Sequence, residues 1–227
     1  GEIQLLSQHL NRLVSGCSAL NINFPNSNEL IEQLKEIAKQ FSEAVLKVMI
    51  SAGSGGRGYS RIGTKEPTVV ISVSSFPAHY HQWQQTGINL GISELKLGIN
   101  PMLNGMKHLN RLEQVFIRQE LDQRAEDDIL VSNINGHIIE TSSSNIFWRK
   151  ENQLFTPKIE NSGVSGLMRE ALLMQYPNTL VDDFSLSELS QAQSIFICNC
   201  VMGVVPIKMF NGKLLTIEAL ALDIDKM

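Results

Sequence analysis

Positive charge is not in surplus here: 19 Lys and Arg stand against 23 Asp and Glu, for a net charge of −4. A nucleic-acid partner is thereby disfavoured, because binding a phosphate backbone needs clustered excess cations. Cysteine is scarce, at Cys17, Cys198 and Cys200 only. An odd set, with one residue between the last two, makes a disulfide framework a poor reading and fits a reducing cytoplasm. No apolar run is long enough to span a bilayer, and the first residues lack the basic-then-apolar pattern of a signal peptide. The chain starts at Gly1 without a methionine, so residues are expected upstream. Repeats and low-complexity tracts are missing, which argues against a solenoid or a disordered segment.

What remains is a globular composition, 43% hydrophobic and 19% charged over 227 residues, enough for one or two domains around real cores. Leu6, Leu10, Leu13 and Val14 recur at helical spacing across residues 3–14, placing His9 and Arg12 one turn apart. A second helix is predicted from a cap at Asn26 or Ser27 through Leu30, Leu34, Ile37 and Phe41. Two β-rich runs, residues 44–51 and 68–74, follow, joined by a glycine-rich loop. This makes a small α/β unit, residues 1–78. Residues 79–86, with two histidines and three glutamines, read as an interdomain connection.

Residues 87–227 form a second, strand-rich unit. A strand at 88–92 leads toward Lys107. A helix over about 109–124 should turn Leu112, Val115 and Phe116 inward. Strands at 129–132 and 137–140 flank Asn135-Gly136, and another hairpin spans 145–156. Gly166 opens a helix, a strand at 194–198 ends before Asn199, and Asn211-Gly212 marks a last hairpin before a short C-terminal helix.

Several constellations invite a functional reading. Gly53, Gly55 and Gly58 match the spacing of a dinucleotide fingerprint, but Gly63 and Pro67 follow where that motif needs a helix. The loop instead presents Arg57 and Tyr59, and a solvated Arg57 stands beside a ligand-binding one as a reading. His79 with His81, and Cys198 with Cys200, have ligand-like spacing without further ligands, so no metal is assigned. Lys107, in Gly105-Met-Lys-His-Leu-Asn-Arg111, would alone be an ordinary surface lysine. Glu140 ends an apolar strand before the small polar run Thr141 to Ser144; it either faces water or aims at a ring nitrogen that it keeps protonated. Gly166-Leu-Met-Arg169 begins a helix, whose free amides and dipole favour an anion such as phosphate.

Taken in order, Ser51-Ala-Gly-Ser-Gly-Gly-Arg-Gly-Tyr-Ser60, Pro77-Ala-His-Tyr80, Met106-Lys-His-Leu-Asn-Arg-Leu-Glu-Gln-Val115, Asn145-Ile-Phe-Trp-Arg-Lys150 and Gly163-Val-Ser-Gly-Leu-Met-Arg169 resemble the fold-type IV pyridoxal phosphate enzymes. Within that family they are most similar to the lyases that cleave 4-amino-4-deoxychorismate. The resemblance implies a two-domain α/β (α+β) fold, a small α/β domain followed by a larger strand-rich pseudo-barrel with outer helices. It implies pyridoxal phosphate as cofactor, Lys107 as the Schiff-base lysine and Glu140 as the partner of the pyridine nitrogen. Arg12 resembles the phosphate-binding arginine, Leu167 and Met168 would offer backbone amides, and Asn199 stands at the third phosphate contact. The implied reaction converts 4-amino-4-deoxychorismate to 4-aminobenzoate and pyruvate, in folate biosynthesis, by α-proton abstraction and β-elimination. Arg57, with Tyr59, is the candidate for a substrate carboxylate. A homodimer, a small-molecule substrate and a cytoplasmic location are implied, with neither nucleic acid nor membrane. The family begins with strands ahead of the Arg12 helix, and these are not in the sequence. A D-amino-acid or branched-chain aminotransferase, and an inactive binding module, are the competing expectations.

Overall fold

The structure, a computed structural model, describes residues 1–64, 66–103 and 105–223. It divides into two compact units, Gly1–Pro77 and Ala78–Met227. In the first, α1 (Leu6–Ala19) and α2 (Ser27–Ala38) precede an antiparallel hairpin of β1 (Ala44–Ser51) and β2 (Thr68–Ser75). Asn26 caps α2 as its sequence predicts: its Oδ1 accepts from the amides of Asn28, at 3.1 Å, and Glu29, at 3.4 Å. Leu30 and Leu34, one turn apart, form the buried stripe of α2. The described residues between Gly58 and β2 form no helix, so the dinucleotide motif fails structurally as well. Arg61 instead ties the loop to the end of α1 by donating to the carbonyls of Leu20 and Asn21.

The second unit contains α3 (His79–Thr86), β3 (Ile88–Leu97), a 3-10 turn at Pro101–Leu103, α4 (Leu112–Leu121), β4 (Asp128–Asn133), β5 (Ile138–Thr141), β6 (Asn145–Lys150) and β7 (Gln153–Pro157). It continues with α5 (Leu167–Gln175), β8 (Leu180–Asp182), α6 (Leu186–Leu189), β9 (Ser194–Asn199), β10 (Gly203–Phe210) and β11 (Lys213–Leu214). Among the described residues these strands form one sheet in the order β5-β4-β3-β10-β9-β6-β7-β8, with β11 on β10. The sheet curls on itself. Just past β8, the carbonyl of Phe184 accepts from Ile138 of β5 at 2.8 Å, and Ser185 bridges His137.

Side-chain alternation explains why these strands read as unbroken apolar runs. Ile146 and Trp148 of β6, with Ile195 and Ile197 of β9, enter one core with Ile88, Leu90 and Ile207. Their neighbours Phe147, Phe196 and Cys198 pack on the other face beneath Met168 and Leu172 of α5. Both faces are covered along residues 146–148 and 195–198, so those stretches are apolar without a break. The third cluster lies under α4, where Ile117 and Leu121 meet Leu97, Ile129, Val131 and Ile139.

Four expectations change. Residues 79–86, read as a connection, are helix α3. Tyr80 and Trp83 pack against the main core, and Gln84 donates to the carbonyl of Met202 at 2.8 Å. The apolar spacing of α4 offers two possible faces, and the buried one is Ile117 and Leu121. Leu112, Val115 and Phe116 face outward, 62%, 49% and 51% exposed. At the Asn135-Gly136 turn only Gly136 takes a positive φ, because Asn133 Oδ1 accepts from the amides of Asn135 and His137 and sets a wider turn. The C-terminal helix is not formed over residues 215–223. That stretch is an irregular strap, its backbone taken up by side chains: Tyr176 and Gln175 donate to the carbonyl of Ala221, and Gln175 accepts from the amide of Asp223. Residues 224–227 lie outside the described residues. No described helix is long and apolar enough to cross a membrane.

Candidate active site

Lys107 lies in the segment between the 3-10 turn and α4, and its place is set from both sides. Upstream, Gly105, with φ 64°, bridges Val164, and its carbonyl accepts from the amide of Ser165 at 2.9 Å. Downstream, Arg111 Nη2 donates to the carbonyl of Met106 at 3.1 Å. The segment therefore runs beside residues 163–166, the approach to α5, and Lys107 itself is exposed.

Glu140 faces the same approach. The β4–β5 pairing sets Val131 against Glu140 but Ser132 against Ile138, so Ile139 is an extra residue, and the bulge it makes re-aims the side chain that follows. The carboxylate is buried, and Oε2 accepts from the amide of Val164 at 3.0 Å. Burial pushes its pKa upward. The Val164 amide, the charges of Arg111 and Lys107, and a hydrogen bond from Gln114 pull the other way without cancelling it. Lys107 is thus within electrostatic reach of the acid it was paired with on sequence.

The approach to α5 is built from two glycines. Gly163 has φ 84°, and a Cβ there would lie 2.5 Å from Ile139 Cγ2 and 3.2 Å from Glu140 Oε2. Gly166 has no room for a side chain, since its Cβ would meet Asn145 Oδ1 at 2.2 Å. Asn145, itself buried, holds the turn with Oδ1 accepting from the amide of Gly166 at 3.2 Å and Nδ2 donating to the carbonyl of Val164 at 2.9 Å. The helix then begins without a side-chain cap, so the amides of Leu167 and Met168 have no partner within the helix. Gly163→Ala is expected to lower stability by about 2 kcal/mol, whereas Gly136→Ala, at φ 83° in open space, should cost about 1 kcal/mol. Denaturant unfolding of the two variants checks the difference.

Asn199 ends β9 beside this corner, where its neighbour Cys198 pairs with Asn145. Its side chain is held in place: Nδ2 donates to Ser144 Oγ at 3.0 Å, and Oδ1 accepts from the amides of Val201 and Met202 at 2.8 and 2.9 Å. It clamps the β5–β6 turn to the β9–β10 turn. Cys198 is buried and packs with Phe147 and Phe196.

The second unit therefore brings together Lys107, Glu140, Leu167, Met168 and Asn199. Arg12, Arg57 and Tyr59 belong to the first unit. There, Arg12 Nη2 lies 3.2 Å from His9 Nδ1, and Arg57 and Tyr59 are exposed on the loop after β1. Sequence reasoning gave no role to Arg111, Gln114, Asn145 or Val164, although all four lie in the runs that carry the family resemblance. Only Asn145 carried a readable signal, as a polar residue opening an apolar strand. Beside Gly163 a polar recess of about 340 Å³ is lined by Asn100, His108, Arg111, Gln114, Asn161 and Ser162. No group of three potential metal ligands occurs among the described residues.

An amine, a buried acid and unpartnered helix amides in one corner form the kit of an aldehyde cofactor bearing a ring nitrogen and a phosphate. The family match agrees. The amino-transferase class IV model covers residues 1–210, and the chain belongs to that family. Within it, the aminodeoxychorismate lyase of Vibrio harveyi is 39% identical over 211 residues, 91% of this chain and 78% of that protein. The crystal structure of 4-amino-4-deoxychorismate lyase from Pseudomonas aeruginosa matches with a TM-score of 0.88 at 30% identity, over 96% of this chain and 82% of that one. The fold is shared more widely. A T.th. branched-chain amino acid aminotransferase complexed with N-(5′-phosphopyridoxyl)-L-glutamate gives a TM-score of 0.80 at 17% identity, over 93% and 72% of the two chains. The expected fold-type IV architecture is the one observed.

Proposed function

We propose that this chain is a pyridoxal-phosphate-dependent lyase that converts 4-amino-4-deoxychorismate to 4-aminobenzoate and pyruvate. The observation that carries the reading is Lys107 within reach of a buried Glu140, beside the open amides of α5, in a chain 39% identical to an aminodeoxychorismate lyase. The residues fit the cofactor. Lys107 would hold its aldehyde, Glu140 its ring nitrogen, and the amides of Leu167 and Met168 its phosphate, with Arg12 and Asn199 assigned to that phosphate as well. When bound, pyridoxal phosphate supplies an electron sink for negative charge on the amine-bearing carbon of the substrate.

The protein's own groups do the rest. Lys107 Nζ, released when the substrate amine takes its place, removes the proton from the amine-bearing carbon. Glu140, as carboxylate, holds a proton at the ring nitrogen and so keeps that ring electron-poor. The electron pair left by the proton forms a new carbon–carbon double bond as the enolpyruvyl C–O bond breaks, and the ring becomes aromatic. The oxygen leaves with the three-carbon fragment as an enolate, which takes a proton at its terminal carbon to become pyruvate, so that the proton removed from the substrate is balanced. No keto-acid acceptor is consumed. Arg57, with Tyr59, is assigned to a substrate carboxylate because a guanidinium pairs with that group in two parallel hydrogen bonds.

A homodimer in the cytoplasm completes the reading. Its support is the outer face of α4 and the residues before it, where Leu109, Leu112, Val115 and Phe116 are exposed together. Sedimentation should give a dimer that Phe116→Glu weakens; an unchanged dimer would place its interface elsewhere. The decisive test of the activity is incubation with enzymatically generated aminodeoxychorismate, following 4-aminobenzoate with and without added pyridoxal phosphate. Cofactor-dependent release supports the lyase. Stoichiometric conversion of the cofactor to its amine form by D-alanine, glutamate or branched-chain amino acids, without 4-aminobenzoate release, would make the chain an aminotransferase.

A further inference from the structure

Arg111 lies in the run of residues 106–115 that carries the family resemblance, but the reading above gives it no role. Its position is nonetheless specific. It sits at the N-terminal boundary of α4, partly buried, with Nη2 on the carbonyl of Met106, the residue before Lys107. It also lines the recess beside Gly163, whose Cβ position is 3.2 Å from Glu140 Oε2. Gln114, one turn along α4, lines the same recess and hydrogen-bonds Glu140.

We propose that Arg111 is a positioning residue that couples the Lys107 segment to the Glu140 carboxylate, keeping that buried acid ionised and aimed at the cofactor's ring nitrogen. The inference rests on the lyase reading only through its cofactor.

Two cationic side chains act on Glu140: Lys107, whose amine would be committed to the cofactor aldehyde, and Arg111, which is anchored on the Met106 carbonyl and carries no such commitment. Burial acts against the carboxylate throughout and the Arg111 guanidinium opposes it, so removing Arg111 shifts the acid further toward its protonated form. In this proposal Arg111 acts through Glu140 and is given no contact with cofactor or substrate.

A purely structural Arg111, serving only as an anchor for Met106, would make a different prediction, and a double-mutant cycle separates the two. Apo-protein is prepared, and the Kd for pyridoxal phosphate is measured by fluorescence titration in wild type, Arg111→Met, Glu140→Gln and the double variant. Arg111→Met is expected to weaken binding about thirtyfold when Glu140 is present but less than about threefold when residue 140 is glutamine. Arg111→Lys, which keeps the charge, should recover most of the loss. Equal losses in the two backgrounds, or no loss in either, would overturn the proposal. If Arg111→Met does not fold, Arg111→Gln, which retains a donor for the Met106 carbonyl, is used in the same cycle with the same criterion. A wild-type protein that fails to bind pyridoxal phosphate would instead overturn the cofactor reading itself, so the two failures are told apart in one titration.

Discussion

Lys107→Ala is expected to reduce 4-aminobenzoate release below about one ten-thousandth of wild type, because it removes both the cofactor's tether and the base that takes the α-proton. The same variant should lose the yellow, borohydride-reducible adduct, which peptide mass spectrometry would place on Lys107 in wild type. Phosphate recognition is not touched by the change. The amides of Leu167 and Met168 remain open, and Asn145 still pins the turn ahead of them, so weakened but measurable binding of pyridoxal phosphate should persist. Retention of both activity and the reducible adduct would place the reacting amine on another lysine, and retention of activity without the adduct would end the covalent reading. Added methylamine should restore a small fraction of turnover if the missing function is the amine alone.

Glu140→Gln is expected to leave the cofactor bound and to slow turnover by about a hundredfold, the scale on which a single electrostatic partner at a reacting centre acts. A neutral amide of the same shape still accepts the Val164 amide but no longer holds a proton on the ring nitrogen. Single-turnover kinetics with α-deuterated substrate should then show the proton-transfer step as limiting. Normal turnover would make the ring-nitrogen charge irrelevant. Stability offers an independent reading. Burial raises the Glu140 carboxyl above its unfolded value, so between those values the native state binds more protons than the unfolded one. Stability contributed by this group is present at low pH and falls as pH rises through the folded value. Without its cofactor, the Glu140→Gln variant should therefore show a flatter loss of stability from the ordinary carboxylate range upward than wild type.

The fold was legible where a local pattern had one physical outcome. The Asn26 cap, the β1 and β2 strands, the break at Gly166 and the two-residue turn at Asn211-Gly212, both with positive φ, each follow from residues adjacent in the chain. Legibility failed where the choice was made by distant segments. The sequence of α4 offers Leu112, Val115 and Phe116 as readily as Ile117 and Leu121, and β3, β4 and β5 decide which face is covered. Helix α3 was hidden because its polar residues mask the two aromatics, Tyr80 and Trp83, that dock it. Lys107 and Glu140 were given roles on sequence, whereas Arg111 and Asn145, though inside the resembling runs, were not. Arg111 reaches a carbonyl five residues back, and the partners of Asn145 lie about twenty residues ahead; no local spacing announces either contact.

The parallel pairing of β3 with β10 joins residues more than a hundred positions apart. Because β3 stands between β4 and β10 in the sheet, that sheet cannot be assembled until most of the chain has left the ribosome. The hairpin and two helices of the first unit, all linked by near neighbours, are free to form long before. Synthesis therefore passes through a stage in which the early unit is ordered while the apolar strands 88–97 and 128–133 wait for partners, and this interval, governed by topology rather than by final stability, is when the chain is most open to aggregation.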